Sequence, residues 1–192
     1  MRLFNKRACI DASVYLEAAE NLYKFEPDAE AATRLAQIYI AKGLFGKATS
    51  YFNEAFELES DNVKKSILLL ELSDHYSINL KNYPQARTYA QRAASLRPNW
   101  GRPWIVIGDI YLSGSATCSD EFNGASVYWA ATDKYQKAQT VDAAMTEEAN
   151  HKIAMNSKYY PKPEAILALG MKAGDTYKVK CWINETTTIR VK

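Results

Sequence analysis

Between Ala29 and Asn62 the apolar residues fall at helical spacing in two runs, with Gly43 between them. Leu35, Ala36 and Tyr39 share one side of the first run, and Ala48, Phe52 and Ala55 share one side of the second. Apolar residues three or four apart stack on a single helix face. The pattern therefore predicts two helices joined by a turn at Gly43. Small Ala36 and Ala48 let the helices approach closely, Ala55 leaves room for whatever follows, and Tyr39 and Phe52 fill the remaining space. One such hairpin cannot bury its apolar face alone, so a structural pattern of this kind has to recur.

It recurs twice. Leu69, Leu72, Ser73 and Tyr76 are followed by Ala86, Ala90 and Ala93, with Pro98 behind them. Tyr39 and Ala48 are nine positions apart, whereas Tyr76 and Ala86 are ten apart, so the second turn is longer by one residue. Trp104, Ile107, Gly108 and Tyr111 then precede Ala131, Tyr135 and Ala138. Here Tyr111 and Ala131 are twenty apart, and the excess lies in SGSATCSDEFNGAS, residues 113–126, whose Ser, Gly, Asn and Asp mark an inserted loop. Upstream, residues 6–25 carry a helical stripe of Val14, Leu16, Ala18, Ala19, Leu22 and Phe25 that Pro27 stops. This reads as the second helix of an incomplete repeat. Downstream, Thr146 opens a helix to about Ser157, with Glu147 and Glu148 at the end where negative charge is favoured. A short helix over residues 163–169 ends at Gly170. The period then changes to two. Tyr177, Val179, Cys181 and Ile183 alternate with Lys178, Lys180 and Trp182, and after Asn184-Glu185, Ile189 and Val191 alternate with Thr188, Arg190 and Lys192. That is a β-hairpin with one apolar and one basic face. An isolated hairpin is marginal in water, so it is expected to dock on the end of the helical array as a cap.

The recurring unit resembles the tetratricopeptide repeat, about 34 residues of helix-turn-helix, and the third copy carries its W-x2-L-G-x2-Y signature with Ile for Leu. The resemblance covers residues 6–145 and implies an all-α solenoid. It divides the chain into a partial repeat 6–27, repeats 29–62, 66–99 and 101–145, and a capping helix 146–157, a solenoid within residues 1–160. Residues 161–192 form the short helix and hairpin cap. Two further stretches, VYWAATDKYQKAQ after the Cys-bearing insert and CWINETTTIRVK after YYPKPEA and GDTYKV, resemble exported tetratricopeptide proteins of Bacteroidetes. That resemblance implies the periplasm or cell envelope. The opening MRLFNKRACIDAS has no apolar stretch of the signal-segment kind, so the chain is expected to be a fragment if its parent is exported.

Composition adds exclusions. The 192 residues are 47% hydrophobic and 24% charged with a net charge of +2, which points to neither nucleic acid nor an anionic membrane. No apolar run approaches the roughly 18 residues of a membrane span. Catalytic fingerprints such as G-x-S-x-G, H-E-x-x-H, a Walker loop or G-x-G-x-x-G do not occur. No catalytic residue, metal site or cofactor is expected, and the chain is read as a non-enzyme. Adjacent Asp120 and Glu121 serve to keep the insert solvated, and His75 and His151 are structural or solvent-facing. Of the three cysteines, Cys9 is expected to be a buried or interface thiol. Cys118 and Cys181 are candidates for a disulfide if the hairpin packs beside the insert; a buried free thiol at Cys181 is the alternative. The bridge would close a segment of about 63 residues, worth about 4 kcal/mol on the loop-closure account.

Partners of tetratricopeptide proteins commonly lie along the first helix of each repeat. The equivalent outward positions are Thr33 and Gln37, then Leu70, Asp74 and Ser77, then Arg102, Ile105, Asp109 and Leu112. They lack the Lys and Asn set with which chaperone-binding members grip a C-terminal carboxylate. Trp104 and Tyr111 are expected in the core. Trp182, beside Lys180 and Arg190, is either a contact anchor on the basic hairpin face or lies over a neighbouring helix. The function expected is a protein–protein interaction scaffold that binds a peptide or partner protein, with no nucleic acid and no membrane insertion. The alternative is an accessory domain of a larger cell-envelope enzyme or glycan-handling assembly.

Overall fold

The computed structural model describes residues 13–122 and 124–192, and among them nine α-helices precede a two-stranded hairpin. Helix α1 is Ser13–Phe25; residues 6–12 of the expected first helix, and Cys9, lie outside the described residues. The first full repeat is α2 (Ala29–Ala41) and α3 (Phe45–Leu58). The second is α4 (Asn62–Asp74), which runs into a π-helical turn His75–Asn79, and α5 (Tyr83–Leu96). The third is α6 (Arg102–Ser113) and α7 (Ala125–Val141). Helix α8 (Thr146–Ser157) takes the first-helix position of a fourth unit, followed by the short α9 (Pro163–Leu167).

Side chains set several helix starts. Asp28 accepts a hydrogen bond from the Ala31 amide at 2.7 Å, Asp61 from Lys64 at 2.9 Å, and Asn82 from Gln85 at 3.2 Å. Each cap satisfies an amide that the helix leaves unpaired and contributes about 1 kcal/mol. The small positions lie where the helices meet: Ala36, Ala48, Ala55, Ala86, Ala90, Ala93, Ala131 and Ala138 are fully buried. Ser73 is the polar exception, and its hydroxyl is satisfied by donating to the Ala86 carbonyl at 2.9 Å. At Gly108 a Cβ would sit 2.4 Å from the Tyr135 ring, so only glycine allows α6 and α7 to pack at this distance.

Two expectations about burial change. Trp104 on α6 is only half-buried, with the ammoniums of Lys134 and Lys137 on α7 5.9 and 6.0 Å from its ring, while Tyr111 is fully buried as expected. Ile105 and Leu70 are buried and do not face outward. Helix α6 has neighbours on both sides and buries seven of its twelve residues, which leaves Arg102, Asp109 and the half-buried Leu112 of the expected outward positions.

The hairpin pairs β1 (Thr176–Lys178) with β2 (Thr186–Thr188) in antiparallel register, Tyr177 opposite Thr187. It is shorter than the alternation predicted. Cys181 and Asn184 adopt left-handed backbone, φ 63° and 49°, so residues 179–185 leave the strand as a wide connection. The alternation still governs burial, and Tyr177, Val179, Ile183, Thr187 and Ile189 all point inward. Nor does the hairpin cap the end of the array. It runs back along the flank of α5, α6 and α7, because its buried residues find their partners there.

Candidate partner-binding surface

The first helices of successive units, α2, α4, α6 and α8, share one face. Side chains bridge it from helix to helix. The Gln37 amide on α2 donates to Glu71 on α4 at 3.3 Å. Arg102 on α6 donates to both oxygens of Glu148 on α8, at 2.8 and 3.1 Å. Lys152 on α8 donates to both oxygens of Asp109 on α6, at 2.8 and 2.9 Å, and the Tyr135 hydroxyl donates to the same carboxylate at 2.7 Å. Between α2 and α4 the face opens into a cavity of about 400 Å³, with Thr33 and Gln37 on one wall and Ile67 and Leu68 on the other.

Of the expected contact residues, Thr33, Gln37, Asp74, Arg102 and Asp109 do lie on this face. Thr33 spends its hydroxyl on the Ala29 carbonyl at 2.7 Å. Arg102 and Asp109 are held by α8. Ser77 is corrected: it is buried, because the π turn takes more residues per turn than an α-helix and rotates positions after Asp74. Ile78, four residues beyond Asp74 in the same turn, is exposed and was not anticipated. Glu71 and Ile67 were also missed, although positions 67, 71, 74 and 78 repeat at the four-three-four spacing of one helix face. Desolvation in the groove raises the Glu71 carboxyl above its ordinary range, against the Gln37 hydrogen bond and with a further push from Asp74. Asp74 is raised as well, chiefly by desolvation, with Arg102 pulling it down and Asp109 pushing it up.

Behind the groove, His75 is 1% exposed. Its Nδ1 lies 3.2 Å from the Asn79 amide nitrogen and its Nε2 lies 3.1 Å from the Thr49 hydroxyl. An amide nitrogen only donates, so Nδ1 accepts and the proton sits on Nε2. Burial lowers the imidazole's affinity for a second proton, opposed by a backbone hydrogen bond at Phe45. His151 is exposed on α8.

The tail forms a second surface, and it is occupied by the chain itself. Cys118 and Cys181 are joined as a disulfide, Cα to Cα 5.3 Å. Trp182 stacks beside Tyr83, meets Tyr111 edge-on, and donates its indole N–H to the Gly114 carbonyl at 3.2 Å. A Cβ on Gly114 would lie 2.7 Å from the Trp182 ring. Trp182 thus lies over the helices and is not displayed on a basic face. Two of the four cations of that face are paired: Arg190 meets Asp133 at 2.6 Å and Lys180 meets Glu121 at 3.6 Å. Glu185 accepts from the Tyr111 hydroxyl at 2.7 Å, pairs with Lys134 at 2.6 Å, and lies 3.9 Å from Arg87. The insert's acids are structural too. Asp120 accepts from the amides of Phe122, Gly124 and Ser126, and Glu121 accepts from the Tyr177 hydroxyl at 2.7 Å. Among the described residues there is no group of three His, Cys, Asp or Glu side chains able to hold a metal, and no helix is long and apolar enough to cross a membrane.

The fold is a tetratricopeptide-type α-solenoid with a small C-terminal hairpin, and residues 29–62 match the tetratricopeptide repeat family. Among solved structures, the APC/C hetero-tetramer Cut9–Hcn1 is similar with a TM-score of 0.54 at 17% identity, over 74% of this chain and 26% of that one. MamA gives 0.47 at 15% identity, over 83% of this chain and 95% of that one. The first TPR of Spaghetti bound to the HSP90 peptide SRMEEVD gives 0.48 at 14% identity, over 68% and 90%. No curated protein matches the chain.

Proposed function

We propose that this chain is a non-enzymatic scaffold that holds a segment of a partner protein along the face of α2, α4, α6 and α8. The observation that carries the reading is the open cavity of about 400 Å³ between α2 and α4, where Thr33 and Gln37 face Ile67 and Leu68 within a lining that also carries Glu30, Arg34, Glu59 and Lys64. The helices around it are already fixed by core packing, to which the cavity-lining Leu68 contributes, so a ligand would meet a preformed surface and lose little of its binding energy to ordering the protein.

The test uses the intact chain as bait beside a variant carrying Gln37→Arg and Asp74→Lys, both exposed positions. Asp109 is left alone, since Lys152 and Tyr135 depend on it. A partner captured by the first bait and lost from the second supports the groove. One retained equally by both moves the site to another surface.

A further inference from the structure

Four cations stand on or beside the shared face, and each meets a carboxylate: Arg34 with Glu30, Lys64 with Glu59, Arg102 with Glu148 and Lys152 with Asp109. Glu71 and Asp74 have no ion-pair partner within 4 Å among the described residues. Gln37 offers Glu71 a neutral hydrogen bond, and Arg102 acts on Asp74 only from a distance while Glu148 holds its guanidinium. The two carboxylates are three residues apart on one face of α4, a spacing at which like charges repel. On the same strip stand two isoleucines that globular packing would ordinarily bury, Ile67 at 43% and Ile78 at 62% exposure. At 1.5 Å per residue they lie roughly 16 Å apart, with the carboxylates between them. Ile67 also opens into the cavity against Thr33 and Gln37.

We infer that this strip of α4 and the π turn after it takes a cationic, amphipathic peptide segment, with apolar residues against Ile67 and Ile78 and Lys or Arg between them on Glu71 and Asp74. The inference rests on the groove reading above and adds the chemistry of its ligand. Charge complementarity selects the sign. An acidic segment would add negative charge to two carboxylates that already repel, whereas a cationic one supplies the counter-charge they lack in a partly desolvated groove, where ion pairs are screened less than on open surface. The isoleucines select against a merely basic polymer, because their apolar surface is covered only by apolar side chains.

A displayed library of random 16-residue peptides, selected on the full chain at low and then physiological salt, tests this. Enriched peptides should carry net positive charge with apolar residues on both sides of the Lys or Arg. Their affinity should fall at least about tenfold, or about 1.4 kcal/mol, for Glu71→Gln with Asp74→Asn. It should fall as well for Ile78→Ser, an exposed position that serves as the second variant should the charge pair alter folding. Enrichment of acidic or neutral peptides, binding indifferent to Glu71→Gln with Asp74→Asn, equal binding by a lysine homopolymer, or no enrichment would each overturn the inference. In the first two cases, binding still lost in Gln37→Arg or Ile67→Ser leaves the groove reading standing. Binding indifferent to every variant removes that reading as well.

Discussion

The imidazole of His75 is enclosed between Thr49 and Asn79, and both of its nitrogens are engaged in the neutral form. A second proton would charge a buried group and break the acceptor contact at Nδ1. The unfolded chain protonates this histidine as pH falls through about 6.5, while the folded chain resists until lower pH. The unfolded state then binds more protons, so this contribution is fully present above about 6.5 and is lost as pH falls below it. Urea midpoints should drop between pH 7.5 and 5.5, and His75→Gln should flatten that slope; an unchanged slope in the variant would assign it elsewhere. Gly108→Ala tests the packing of the third repeat. Its Cβ would meet a Tyr135 ring that is fully buried and tied to Asp109, so the ring cannot swing aside. A loss of about 1–3 kcal/mol in denaturant unfolding is expected. Gly108 was legible in the sequence because a repeat signature demands a small residue there. The setting of His75 was not, since Thr49 is 26 residues away and nothing local distinguishes a buried imidazole from an exposed one. Trp104 misled for the opposite reason: its place in the signature says core, but lysines on α7 shield it at the surface.

Among the elements, the helices were legible and the tail was legible only in part. Helix hairpins are local, and their small positions announce which faces meet. The tail's period of two announced strands and an inward set of side chains, but its docking place depends on contacts such as Trp182 to Gly114, 68 residues apart, and Arg87 to Ile183, 96 apart. No periodicity encodes those. The π turn was equally hidden, and it is what moved Ser77 into the interior. The disulfide gives the tail a covalent anchor, closing a sequence separation of 63. On the loop-closure account it contributes about 4 kcal/mol, less whatever structure the unfolded chain keeps. Protein made under oxidising conditions and denatured without reductant should titrate one free thiol, since the chain has three cysteines; three free thiols would show that the bond does not form. Removal of residues 175–192 should lower the melting temperature further than reduction alone, because it also strips the inward face of Tyr177, Val179, Ile183 and Ile189 from the core. A truncated chain that melts like the full one would make the tail a separate arm.

Across the whole molecule the tail changes what kind of object a solenoid is. A repeat array is quasi-one-dimensional, each unit touching only its neighbours, and it can open from either end. Here Glu185 alone gathers Arg87 from α5, Tyr111 from α6 and Lys134 from α7, while Arg190 and Thr187 hold Asp133 of α7. The second helix of repeat two and both helices of repeat three are therefore fastened together by a segment distant in sequence. Among the described residues no hydrogen bond or ion pair ties the tail to repeat one, and α3 packs on α4. Stability should then be uneven along the chain, with local opening cheapest where nearest-neighbour packing stands alone. Hydrogen exchange should show α2 and α3 opening at lower free energy than α5 to α7. Reduction of the disulfide, or Glu185→Ala, should bring the opening energy of α5 to α7 down toward that of the first repeat while leaving α2 and α3 unchanged. Uniform exchange along the solenoid, or a loss that spreads equally to α2 and α3, would mean the array already opens as one cooperative unit and that the tail only adds to it. The distinction bears on binding as well, because the cavity and the α4 strip lie where the fastened repeats meet the unfastened one. Opening of the first repeat would remove one wall of that cavity while the strip stayed in place, so a bound segment spanning both should slow exchange in α2 and α3 more than in α6 and α7.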